Sequence, residues 1–259
     1  MILTGDQIKI AQSMMSEKAP ANKRLRAGAV VRVIKDDKGV WQLSQLPEVQ
    51  AGYVAMAPND GAVLALVGGF DYTMNKYNHI TQAWRQPGSS FKPFIYSAAL
   101  EKGFTPASVV EDSPISIGSS ETGSTAWSPK NYDGKYEGPM RLRTALAKSK
   151  NMVSIRILQA SGVKFAQEYV THFGFDAEKH PPYLTMALGA GSVTPWQMAR
   201  AYTVFANGGY LVNPYIVLEI RDDKGTVLAQ AQPVIAGETA PRVIEARNAF
   251  VMDSMLRDV

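Results

Sequence analysis

The sequence predicts an α/β chain of the α+β kind, with strands and helices in separate stretches. Three observations point there. Short apolar runs face each other across Asp/Asn-Gly turns within the first 70 residues. Between residues 92 and 207 the apolar positions take helical spacing, punctuated by glycine and proline. A last hairpin pattern follows near residues 215–230. At 259 residues the chain is long enough for one sizeable domain and a small appendage.

The elements follow in order. Residues 5–18 fit an amphipathic helix, with Ile8, Ile10, Ala11, Met14 and Met15 near one side and Ala19-Pro20-Ala21-Asn22 as its breaker. Ala29-Val30-Val31-Arg32-Val33-Ile34 and Val40-Trp41-Gln42-Leu43 are strands about the turn Asp36-Asp37-Lys38-Gly39. Pro47-Glu48 is the expected boundary, giving domains at 1–48 and 49–259. Residues 52–57 and 62–67 form a hairpin turning at Asn59-Asp60-Gly61. A helix starts near Lys92 and stops at Gly103, a residue suited to the left-handed C′ position. Residues 113–139, rich in Ser, Gly and Pro, read as a loop that lines a cleft. Residues 140–148, 151–158, 163–173 and 194–207 read as helices, and 215–221 with 226–230 as a hairpin.

Composition excludes several classes of function. There is no cysteine, hence no disulfide, thiolate nucleophile or cysteine metal site. His79, His172 and His180 lack metal-ligand spacing, and no cofactor or metal is expected. The net charge of +4 is mild, and the only basic cluster is Lys23-Arg24-Leu25-Arg26, which argues against nucleic acid as a partner. No apolar run has the length of a membrane span, and Met1-Ile2-Leu3-Thr4-Gly5-Asp6 lacks the regions of a signal peptide.

The chemistry-bearing stretch is Gln86-Pro87-Gly88-Ser89-Ser90-Phe91-Lys92-Pro93. Gly88 permits a sharp turn, and Pro93 is tolerated in a first helical turn. Residues three apart share a helix face, so the Lys92 amine is placed to reach the Ser89 hydroxyl and activate it as a nucleophile. The same pattern fits an N-cap serine beside a solvated lysine. Ser161-Gly162-Val163-Lys164 repeats the spacing, but Gly162 reads as a helix stop, so Ser161 and Lys164 straddle two helices. Ser149-Lys150-Asn151 falls at a helix junction. There Ser149 offers a hydroxyl to pass a proton, and Asn151 an amide to hold a carbonyl or an amine. Either residue also suits a helix cap.

Taken together, Ser89-x-x-Lys92 and Ser149-x-Asn151 resemble two motifs of the penicillin-recognising serine enzymes. The resemblance extends to Pro58-Asn59-Asp60-Gly61, Val67-Gly68-Gly69, Pro129-Lys130-Asn131-Tyr132, Ala187-Leu188-Gly189, Val193-Thr194-Pro195 and Phe205-Ala206-Asn207-Gly208-Gly209. This set is similar to the transpeptidase domain of class A, bifunctional penicillin-binding proteins of the 1A type, over residues 25–259. The resemblance implies a five-stranded antiparallel sheet flanked by helices, with a helical subdomain. It implies that residues 1–48 are a linker and remnant of a small OB-like β domain, and that the 52–67 hairpin supplies the first two strands of the sheet. The family's third motif, Lys-Thr/Ser-Gly, is absent: Lys224-Gly225-Thr226 has the wrong order, and Thr122-Gly123 lacks the lysine. In the family that motif follows a segment like residues 242–256, so the chain reads as truncated at its C-terminus and, without membrane anchor and glycosyltransferase domain, at its N-terminus.

The activity so implied is a peptidoglycan DD-transpeptidase at the periplasmic face of the bacterial inner membrane. Its partners would be stem peptides, donor D-Ala-D-Ala and acceptor amine, and β-lactams; membrane contact would come only through the absent anchor. Ser89 would be the nucleophile, Lys92 the base, Ser149 the proton relay and Asn151 an amide that holds a substrate carbonyl or the lysine amine. The chain by itself is expected to be catalytically silent and marginally stable, lacking strands and half an oxyanion hole. Two alternatives stay open: a serine DD-carboxypeptidase or β-lactamase, and a non-catalytic β-lactam-binding sensor.

Overall fold

The computed structural model describes residues 2–118 and 125–259. The backbone separates into two compact units, Met1–Gln50 and Ala51–Val259. In the first unit a 3-10 helix, Gly5–Met14, packs on a hairpin of β1 (Arg32–Lys35) and β2 (Trp41–Ser44), with Ala11 buried. The hairpin register runs Arg32↔Ser44 to Lys35↔Trp41. Its turn is closed by Asp36, whose Oδ1 accepts the N–H groups of Lys38 and Val40, both at 2.9 Å. These backbone donors, that of Val40 foremost, hold the Asp36 carboxyl below its ordinary pKa. The helix expected over 5–18 is thus shorter and more tightly wound.

In the second unit, β3 (Tyr53–Met56) and β4 (Val63–Val67) form an antiparallel hairpin, and β3 packs on the helix Pro195–Ala206. Gly61 turns the hairpin with φ +82°, where an added Cβ would lie 2.5 Å from the Asn213 carbonyl oxygen. Among the described residues this hairpin gains one further ladder contact, a parallel bridge from Ala62 to Tyr215. A second antiparallel pair, β5 (Val109–Asp112) with β6 (Gly138–Arg141), brackets the long Ser/Gly/Pro-rich segment. Met140 and Arg141, expected to open a helix, therefore belong to a strand, because β5 pairs with them. The helix starts at Leu142, two residues later than expected. The last hairpin is β7 (Glu219–Arg221) with β8 (Val227–Gln230), and Lys224 and Gly225 lie in its turn. Thr122-Gly123 lies outside the described residues.

The rest of the unit is a helical body. Its members are α1 (Lys92–Glu101), α2 (Leu142–Ala147), α3 (Asn151–Ser161), α4 (Val163–Val170), α5 (Pro195–Ala206) and α6 (Ala246–Leu256). α1 is the axle: Lys92 through Ala99 are all buried, and it touches α3, α4 and α6. Phe94 sits in an aromatic cluster with Phe91, Phe173, Phe175, Tyr202 and Phe205 at ring separations of 4.9–5.5 Å. A polar pin joins α1 to α6: Ser97 Oγ donates to Asn248 Oδ1 at 2.8 Å, and Asn248 Nδ2 donates to the Ser97 carbonyl at 2.9 Å. α5 starts at Thr194, whose hydroxyl accepts the Gln197 N–H at 3.2 Å, with Pro195 as its first residue.

Two contacts behind α1 seat its leading turn. The 3-10 turn Gly88–Phe91 that runs into it is backed by the segment after the 3-10 helix Leu184–Leu188. The Gly88 N–H donates to the Gly189 carbonyl at 3.3 Å, and Gly189 has φ +69°. His180, 1% exposed, stacks on Phe91 at 4.6 Å and packs edge-on to Phe175. Neither of its ring nitrogens has a hydrogen-bond partner. Desolvation lowers its pKa from 6.5 to about 4, against a smaller opposing pull from Asp176.

This packing has two measurable consequences. A Cβ on Gly189 would fall 2.1 Å from the Gly88 oxygen. Gly189→Ala is therefore expected to cost more than the roughly 1–3 kcal/mol of a strained backbone residue alone, read as a lowered unfolding temperature; unchanged stability would contradict the close approach. His180 is held neutral in the fold but free to protonate when unfolded, so the unfolded state binds more protons between its two pKa values. Stability is full above about pH 6.5 and falls as pH drops toward 4. Denaturant titrations across that window should show a shallower decline for His180→Phe than for the wild type; parallel declines would contradict it.

Candidate active site

Ser89 sits on the 3-10 turn Gly88–Phe91, and Lys92 is the first residue of α1. Positions i and i+3 eclipse on a 3-10 turn, so both residues lie on one side of it. The turn is fixed from behind as well as below. Arg85 and Val193 exchange both backbone hydrogen bonds, at 2.9 and 3.0 Å, and the Tyr202 hydroxyl donates to the Ser90 carbonyl at 2.8 Å. Ser89 itself is exposed. Its N–H lies in the first turn, where helical N–H groups have no intrahelical acceptor.

Lys92 is 1% exposed. Its Nζ donates to three oxygens of one short turn: the Ser149 carbonyl at 2.6 Å, Ser149 Oγ at 2.9 Å and Asn151 Oδ1 at 2.7 Å. Those acceptors favour the ammonium, whereas burial favours the amine. Burial prevails, lowering the pKa from 10.5 to about 8. The Lys92 amine does not bond to Ser89, because the 149–151 turn takes all three protons of its ammonium form.

The turn that covers Lys92 is short and strained. Ser149 has φ +53°, the only positive value at a non-glycine residue among those described. Asn151 opens α3, and its Nδ2 donates to the Lys130 carbonyl at 2.8 Å, which aims Oδ1 at Lys92.

A cavity of about 400 Å³ joins these pieces, lined by Ser89, Ser149, Asn151, Asn131, Tyr132 and Asp133. The residue pairs Ser89/Lys92 and Ser149/Asn151 thus meet at one place, although 57 residues separate Lys92 from Ser149. A second cavity of about 440 Å³, more apolar, lies against Arg85, Pro87, Ser90, Pro195 and Tyr202; neither Ser89 nor Lys92 lines it. Ser161 and Lys164 fall on different helices, α3 and α4, separated by Gly162 at φ +90°, and Ser161 is buried. Among the described residues no group of three His, Asp or Glu side chains is arranged to hold a metal ion.

Three neighbours escaped the reading of the sequence as site residues: Asp112, Asn131 and Lys150. Lys150 was visible only as the middle of Ser149-Lys150-Asn151, and Asn131 only within Pro129-Lys130-Asn131-Tyr132. Asp112 carried no signal, because its strand β5 is recognisable only through its pairing with β6.

Known proteins resemble both units. Residues 51–259 match the penicillin binding protein transpeptidase domain, and residues 1–49 match the penicillin-binding protein OB-like domain. Penicillin-binding protein 1A of Neisseria lactamica is 49% identical over 236 residues, covering 91% of this chain and 29% of that protein. Penicillin-binding protein 1A of Pseudomonas aeruginosa is 39% identical, covering 99% of this chain and 37% of that protein. The chain therefore spans about a third of the length of such relatives. The crystal structure of penicillin-binding protein 1A from Haemophilus influenzae superposes with a TM-score of 0.82 at 43% identity, over 86% of this chain and 37% of that one. Penicillin-binding protein A from M. tuberculosis, at 18% identity and a TM-score of 0.69, shares the fold. With its transpeptidase match covering residues 51–259, the chain belongs to the penicillin-binding protein transpeptidase family.

Proposed function

We propose that the protein carrying this chain is a serine-type DD-transpeptidase that cross-links peptidoglycan stem peptides, and that β-lactams acylate the same serine. The observation that carries this reading is a buried lysine of lowered pKa, held by Ser149 and Asn151 beside the cavity onto which Ser89 opens. Membership of the family and 49% identity to a penicillin-binding protein 1A support it.

In the proposed reaction, neutral Lys92 takes the Ser89 Oγ proton while Oγ bonds to the carbonyl carbon of the penultimate D-Ala. The carbonyl oxygen becomes an oxyanion, and the Ser89 N–H, at the start of its turn, is a donor for it. As the intermediate collapses, the C–N bond to the terminal D-Ala breaks. The departing nitrogen needs a proton, and the 2.9 Å contact between Lys92 Nζ and Ser149 Oγ supplies the route. The ester on Ser89 is then attacked by an amine of a neighbouring stem. The attacking amine gives a proton to Lys92 as the new C–N bond forms, the C–O bond to Ser89 breaks, and Lys92 passes that proton to Oγ. Asn151, with Oδ1 on Lys92, keeps the amine oriented throughout.

A β-lactam presents a strained amide to the same serine, and ring opening leaves the acyl group attached. The donor D-Ala-D-Ala peptide and the acceptor amine are the proposed natural partners. The proposed setting is the periplasmic face of the bacterial inner membrane. No helix among the described residues is long and apolar enough to cross a membrane.

The test uses the full-length protein and a labelled β-lactam. Peptide mapping should find the adduct on Ser89, not on Ser90 or Ser161; an adduct on another serine with Ser89 unmodified would overturn the reading. Lys92→Arg should lose acylation about as fully as Lys92→Ala, by the roughly 100- to 10,000-fold contributed by a general base, since arginine stays protonated. Near-normal acylation by Lys92→Arg would mean that only the charge at this position matters.

A further inference from the structure

At the 149–151 turn lies an ionic cluster for which the proposed reaction has no use: Lys150 and Asp112 are buried in it, and Asp133 and Glu137 form its exposed rim. Lys150 is 3% exposed, and its Nζ lies 3.0 Å from Glu137 Oε1, 3.4 Å from Asp112 Oδ2 and 3.5 Å from Asp133 Oδ2. Asp112 is wholly buried. Its Oδ1 accepts from Asn131 Nδ2 at 2.7 Å, and its Oδ2 accepts the Glu137 N–H at 3.0 Å. Asn131 in turn faces α3: its Oδ1 accepts the N–H of Asn151 at 2.8 Å and that of Met152 at 3.4 Å. The first N–H groups of α3 are therefore satisfied not by a neighbouring residue in sequence but by a side chain twenty positions earlier.

Such a cluster is a poor device for stability alone, since well-packed apolar residues do as well as a buried ion pair. What it does hold is position. Lys150 is anchored on one side of the turn's backbone and Asn151 on the other, and Ser149 is kept in a conformation that a residue with a β-carbon otherwise avoids. Released, Ser149 would relax to negative φ and carry its carbonyl and hydroxyl away from Lys92.

We propose that Asn131, held by the Lys135 carbonyl and by Asp112, with which Lys150 pairs, is a positioning residue that clamps the 149–151 turn shut over Lys92. The proposal rests on reading Lys92 as the base for Ser89. Lys92 owes its lowered pKa to burial, and no charged side chain pairs with it among the described residues. The charged groups around the turn are engaged elsewhere. Lys148 pairs with Glu137, and Arg156 of α3 donates to the carbonyls of Glu111 and Ser113. Asp112, Asp133 and Glu137 surround Lys150, whose own pKa burial would lower but which Glu137, Asp112 and Asp133 together raise. Opening the clamp therefore acts on Lys92 through water: the amine is hydrated, its pKa rises toward the ordinary value, and the neutral fraction that can take a proton near neutrality falls.

The experiment is the pH profile of the Ser89 acylation rate in the full-length protein, with a fluorescent β-lactam. It compares the wild type, Asn131→Ala, Lys150→Gln and, as a purely structural lesion, Asn248→Ala, which cuts the α1–α6 pin. The clamp predicts that Asn131→Ala and Lys150→Gln move the midpoint up by at least about one unit. That corresponds to at least about a tenfold loss at pH 7, recovered at alkaline pH. Asn248→Ala should unfold at lower temperature with its midpoint unmoved. Where Asn131→Ala does not fold, Asn131→Ser replaces it, which adds no charge and loses the amide donor to Asp112 and the Lys135 carbonyl. Ser89 acylation with the wild-type midpoint in every variant, or a loss equal at all pH values, overturns the clamp and leaves the base assignment standing. No Ser89 acylation in the wild type at any pH overturns the base assignment, and the clamp with it.

Discussion

The burial of one amine organises this structure. Lys92 heads α1, the most enclosed helix among the described residues, and is 1% exposed. An ammonium in such a place is tolerable only if its protons find acceptors. Three oxygens from Ser149 and Asn151 meet that need, and burial still lowers the pKa to about 8. The two demands pull in opposite directions. Too many acceptors would lock the lysine as a cation, whereas too few would leave it without partners.

Much of the surrounding architecture serves to hold that balance. The aromatic cluster about Phe94 fixes the start of α1 in place. The β5–β6 pair brings Asp112 to within reach of Lys150 and Asn131, and that cluster fixes the start of α3. On the far side, the close approach of Gly189 to Gly88 seats the turn that carries Ser89. Ser89 and Lys92 are neighbours through local 3-10 geometry, but the residues around Lys92 arrive through tertiary packing.

That division explains what could be read from the sequence. The placement of Ser89 and Lys92 on one side of a turn was legible because a spacing of three, beside a glycine and a proline with local roles, fixes it. The β1–β2 and β3–β4 hairpins were legible because Asp36-Asp37-Lys38-Gly39 and Asn59-Asp60-Gly61 dictate turns locally. Met140 and Arg141 misled, since their pattern continues smoothly into α2 and only the pairing with β5 makes them a strand. The positive φ of Ser149 left no trace, because serine at that position announces a cap rather than strain. Asp112 left none either: a lone acid at the end of a short strand looks like a solvated residue until its partners are seen to be buried with it.

The most direct measurement is the titration of the Lys92 side chain itself, followed by NMR of selectively labelled lysine in the unmodified protein. A midpoint near 8 is the predicted result, set by burial beneath the 149–151 turn. A midpoint near 10.5, the ordinary value for lysine, would contradict the central claim that the fold keeps this amine poised to give up its proton.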